Sequence, residues 1–137
     1  MTAQNSPAEQ TTGQIPVVMP GPSLDLNIQQ ELAALRQGEA WQQTGINRKS
    51  LVRYPDFRIS LIVLKANGRI EEHHNPGRIS VQTVAGHIRM HADDKLFDLP
   101  LGKILVLDRA VAHDVEAVGE ESAFLLPVAM PEKAAQH

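Results

Sequence analysis

The side chains best able to do chemistry crowd into one stretch, Gly68 to Gly86, which reads GRIEEHHNPGRISVQTVAG. It holds Glu72, His73 and His74 between a glycine turn and a β-branched run. Imidazole changes charge near neutral pH and is a common metal ligand, and carboxylates serve as hard ligands or as acids and bases. Successive strand residues point to opposite faces, so His73 and His74 diverge and are not a chelating pair. Residues two apart share a face, which sets Glu72 beside His74 if the strand is regular. Gln82 alternates with Val81, either on the outer face or as a polar contact in a pocket. His87, Arg89 and His91 alternate with Ile88 and Met90, the pattern of a half-buried strand whose polar trio faces solvent. Ser122 has no nucleophile motif around it, and no glycine-rich phosphate loop occurs.

The elements that must position these groups fit one domain. With 137 residues and 42% hydrophobic side chains the chain can bury a core. A formal net charge of -3 and no Lys/Arg run longer than Arg48-Lys49 argue against a nucleic-acid or anionic-membrane partner. A small molecule fits better. The absence of cysteine removes disulfides, thiolate metal sites and cysteine nucleophiles. No basic leader with an apolar segment is visible, and aliphatic runs such as Leu61 to Leu64 are too short for a membrane span, so a cytoplasmic location is expected.

Residues 1–22 are rich in Pro, Gln, Thr and Ser and are expected to be a disordered or loosely docked tail. Residues 23–45 should hold a helix and its connection. Asn27 and Gln30 have the spacing of a capping box, Ile28, Leu32 and Leu35 form a narrow stripe, and Gly38 stands where a helix would end. Trp41 is expected to cover the join as a packing residue. From residue 46 to 131 the pattern is about eight short strands separated by turns such as Pro55-Asp56, Asn67-Gly68 and Asp93-Asp94. With no helix between them, these predict an all-β antiparallel sandwich or barrel. Residues 132–137 form a polar tail. Strands apolar on both faces, notably Ile59 to Leu64, lead us to expect a homodimer.

The order of glycine turn, histidine cluster, Gly86, hairpin, and Gly102 followed eleven residues later by His113 resembles the two motifs of the cupin superfamily. That resemblance covers roughly residues 57 to 130 and implies a small RmlC-like jelly-roll barrel. In the second motif the family's proline position is Asp108 and its glycine position is Ala110, while His113 maps onto the family's metal ligand. The first motif is contracted. Counting back from Gly86 or forward from Gly68, His74 is a ligand position either way, and the usual glutamate position holds Ile79.

Two functions follow from the resemblance. One is a binding or sensing module without established catalysis, whose barrel pocket holds a small molecule through His74, His113, Glu72 and Gln82. The alternative is a metal-dependent enzyme, an oxygenase, isomerase or lyase, with Fe, Mn, Ni or Zn held by His74, His113 and Glu72. In it, His73 is a less favoured ligand and a candidate proton shuttle. The missing glutamate tilts the reading toward the first.

Overall fold

The computed structural model describes residues 21–131. The expectations for the tail before residue 21 and for residues 132–137 lie outside the described residues. Helix α1 spans Ile28–Leu35, and the Asn27 side chain caps it by accepting a hydrogen bond from the Gln30 amide at 3.0 Å. It buries Leu32 and Leu35, the stripe that its spacing predicts. The helix stops at Arg36, before Gly38. Gly38 instead opens a second helix, α2, Glu39–Thr44, which is too short to carry a periodic signal. Trp41 sits buried on α2, with the Lys65 ammonium 5.6 Å from its ring.

Nine strands follow among the described residues: β1 Ile46–Arg53, β2 Phe57–Leu64, β3 Arg69–His73, β4 Arg78–Ala85, β5 His87–Ala92, β6 Lys95–Pro100, β7 Ile104–Leu107, β8 His113–Ala117 and β9 Ser122–Ala129. They form a five-stranded sheet ordered β1-β2-β9-β4-β7 and a four-stranded sheet ordered β3-β8-β5-β6. Every pairing is antiparallel. This is a jelly-roll barrel with short helices at its N-terminal side. Strand β3 is not among the strands that the apolar pattern marks, because its Glu-Glu-His run has no apolar alternation; it bears out only the extended backbone assumed for the histidine facing. Strand β1 starts earlier than its aliphatic residues suggest, since polar Asn47 and Arg48 pair with Val63 and Ile62 of β2.

Two clusters hold the layers together. Between the sheets lie Ile62, Ile79, Met90, Val115 and Phe124 with their neighbours. On the outer face of the five-stranded sheet, Leu32, Leu35 and Trp41 pack on Leu61, Val63 and Ala123. The double apolar face of β2 is therefore accounted for within one chain: Ile62 and Leu64 fill the barrel, and Leu61 and Val63 meet the helices.

The corner between the sheets depends on Gly86, the lone residue between β4 and β5. Its φ is +70°, and a Cβ there would stand 2.4 Å from the Glu121 carbonyl oxygen and from Ser122 Oγ. Only glycine meets both conditions without strain. Buried Ser122 ties the corner by accepting from the His87 amide at 2.9 Å.

Candidate functional site

The decisive local feature is an irregularity in β3. Ile70 pairs with Val115 and His73 pairs with His113, so three steps along β3 match two along β8. A β-bulge of this kind inverts the facing of every residue after it. In a regular strand Ile70, Glu72 and His74 would share the inner face. With the extra residue, His73 joins Ile70 on the cavity side, at the open mouth where it remains exposed.

His73 and His113 meet edge to face with ring centroids 4.3 Å apart. Each ring is anchored by its own strand end: His73 Nδ1 lies 2.9 Å from the Glu71 carbonyl oxygen, and His113 Nδ1 lies 2.9 Å from that of Val111. A carbonyl only accepts, so both Nδ1 atoms carry the proton and both Nε2 atoms keep a lone pair in the neutral rings. His113 is 4% exposed. Its pKa is lowered by burial first, and further by His73 and His74, against the opposing pull of the Val111 carbonyl and Asp114.

These two imidazoles open on a cavity inside the barrel. Its walls are Ile70 from β3, Val115 from β8, Met90 from β5, Val81 from β4, Phe124 and Leu126 from β9, and Ile62 from β2. Its volume is about 30 Å³, room for a water or two, and with the open mouth the empty space reaches about 330 Å³. Arg48 completes the lining. It pairs with Ile62, a residue of the inter-sheet core, and cross-strand partners share a face. Burial among protein atoms lowers its pKa although part of the side chain stays open to solvent. No carboxylate lies within ion-pair distance of Arg48 among the described residues.

The residues named from sequence are thus only partly brought together. His113 lines the cavity, and so does His73, which is exposed at its mouth; His74, just beyond the end of β3, and Glu72, on the bulged segment, are also exposed but are not part of the lining. His73, ranked behind both, takes the inward place because the bulge reverses the alternation. Gln82 pairs with Ile104 and with Leu125, a residue packed toward the helix-side cluster, so it faces away from the cavity. Ile79, in the family's glutamate position, is buried in the inter-sheet core. Arg48 was missed because Asn47-Arg48-Lys49 reads as solvated surface.

The solvent-facing trio on β5 sits on the outer face, as its alternation indicates. His87 Nε2 is 2.6 Å from Asp98, and Asp114 accepts from the His91 amide at 2.9 Å and from Arg69 at 3.0 Å. Ala110 adopts φ +60°, the left-handed conformation that a glycine meets most easily. The turn of the second motif therefore keeps a glycine-like geometry without its glycine.

A divalent metal in a cupin barrel needs three or four converging donors. His73 and His113 supply two free Nε2 atoms, but no group of three His, Asp or Glu side chains suited to a metal ion occurs among the described residues. Arg48 adds a positive charge to the same cavity. The donor set does not fit the expected metal site.

Comparisons with solved structures agree on the architecture. A conserved protein of unknown function from Streptococcus pyogenes superposes with a TM-score of 0.64 at 22% identity, covering 88% of this chain and 98% of that one. A cupin superfamily protein from Desulfitobacterium hafniense gives 0.61 at 17% identity, covering 64% and 80%. An RmlC-like cupin from Shewanella frigidimarina gives 0.59 at 13%, covering 66% and 81%. The chain has the cupin fold, in its small RmlC-like jelly-roll form. No family model matches the sequence, and neither does any curated protein. No helix among the described residues is long and apolar enough to cross a membrane.

Proposed function

We propose that this cupin-fold protein is a small-molecule binding or sensing module whose ligand enters the barrel between His73, His113 and Arg48. The observation that carries this reading is the His73–His113 pair on an apolar cavity, with no third His, Asp or Glu among the described residues grouped with it for a metal ion. An enclosed apolar wall with a few polar groups gives a ligand both burial and orientation. The two Nε2 lone pairs accept hydrogen bonds from a ligand, and the bulge that brings His73 inward is the device that builds the site.

The test is a ligand screen by thermal shift on untagged protein, repeated on variants. A binder should lose affinity by roughly tenfold in His73→Ala. It should bind His74→Ala and Glu72→Ala as it binds the wild type. Val81→Phe, which fills the cavity, should abolish binding while leaving the far-ultraviolet circular dichroism unchanged. Binding that survives Val81→Phe would sink the proposal. Stoichiometric Fe, Mn, Ni or Zn in the purified wild type, lost in the His73→Ala/His113→Ala double variant, would replace it with the metal-dependent enzyme.

A further inference from the structure

Among the described residues Arg48 is the one permanently charged side chain lining the cavity; it reaches the mouth from the edge strand β1, on the face of its core partner Ile62, and is itself exposed to solvent. Among the described residues Arg36 is matched with Glu121, Arg69 with Asp114 and Arg78 with Asp108, while Arg53, Arg58 and Arg109, like Arg48, have no carboxylate in ion-pair distance; Arg48 differs from these in lining the cavity. Those pairs lie on the surface, where they matter little. Arg48 has no such carboxylate, and burial alone accounts for its lowered pKa, with no compensating negative group. Arg48 is exposed at the cavity mouth, so its guanidinium donors are open to an anion arriving from solvent, with the apolar walls just behind them.

Resting on the binding-module reading above, we infer that the ligand is a small monocarboxylate with an apolar body, its carboxylate held by Arg48 and its body against Val81, Met90 and Phe124. Guanidinium matches a planar carboxylate with two parallel hydrogen bonds, a geometry a neutral head group cannot reproduce. The anion carries a single charge because the cavity supplies a single fixed positive charge. His113, held neutral near neutral pH by its burial, supplies a hydrogen-bond acceptor and no counter-charge. A phosphate or dicarboxylate would bring a second negative charge for which the lining offers no second fixed cation. The limited volume favours a short or branched chain over a long one.

The experiment uses the full chain at constant ionic strength. It compares aliphatic and aromatic carboxylates of about four to eight carbons with their primary amides, each titrated to about 10 mM by thermal shift and calorimetry. Carboxylates should bind saturably and at least tenfold more tightly than the matching amides. Arg48→Gln should erase that preference, and Arg48→Lys should restore it in part, since a point charge lacks the fork. Arg48 lies partly in solvent at a sheet edge, so both variants are checked for an unchanged fold by circular dichroism. Equal binding of acids and amides, or carboxylate binding unchanged in Arg48→Gln, overturns the inference. If neutral apolar probes bind and Val81→Phe displaces them while carboxylates do not bind, the anion assignment falls and the pocket stands. If neither class binds, both fall.

Discussion

At the scale of the residue, His113 is the most constrained group in the site. It is buried, touches His73 with its ring edge to face, and has its Nδ1 hydrogen committed to the Val111 carbonyl. Burial holds its pKa below the ordinary histidine value of about 6.5. The unfolded chain therefore takes up this proton at higher pH than the folded one does. Stability from the neutral ring is complete above the unfolded pKa and is lost as pH falls through the folded one. The charged groups that act on it are His73 and His74 on the β3 side and Asp114 on its own strand. We expect the urea midpoint to drop between about pH 7.5 and about pH 5, a window above the range where carboxylates titrate. In His113→Gln that part of the pH dependence should vanish. An unchanged slope in this variant would assign it to other histidines.

At the scale of the element, two turns carry the geometry that the strands cannot supply. The bulge in β3 decides which histidine faces inward, and the turn before β8 sets the ring of His113 against it. In that second turn Ala110 occupies φ +60° while its amide donates to the Asn75 carbonyl at 2.9 Å, which ties the turn to the loop after His74. An alanine in the left-handed region is strained by about 1 kcal/mol or more, whereas glycine is at ease there. Ala110→Gly should therefore stabilise the protein by about 1 kcal/mol in chemical denaturation, without altering ligand affinity. A destabilised variant would mean that the methyl group packs more than it strains.

At the scale of the whole molecule, the reason first given for a homodimer changes. The outer face of β2 is covered by α1 and α2, so it needs no second copy. What stays open is the far edge of the same sheet, where Ile104 and Val106 of β7 are 53% and 66% exposed and Leu101 lies in the turn beside them. A row of free strand-edge groups with apolar side chains is a template for pairing with another chain. The expected homodimer would form along this edge. Sedimentation in dilute solution should give twice the chain mass for the wild type and the single mass for Val106→Lys. A wild type that is monomeric at all concentrations would show that edge pairing does not occur.

Most of the strand pattern after residue 46 and the capped helix at Asn27 were legible from the sequence, because each depends on local chemistry. Alternation marks a half-buried strand, and an Asn side chain satisfies a free amide; the need for glycine at Gly86 comes instead from Glu121 and Ser122, brought there by the fold. His113 was legible through its spacing from Gly102. The inward histidine was not. Counting residues assumes unbroken alternation, and a bulge is set by how β3 pairs with β8, which no local pattern in Glu71-Glu72-His73-His74 records. Arg48 was hidden for the same kind of reason. Its inward face follows from pairing with Ile62, fourteen positions away in the chain. Local side-chain chemistry determined the strands and turns, whereas the facing of His73 and Arg48 was decided only when distant strands paired and fixed their register.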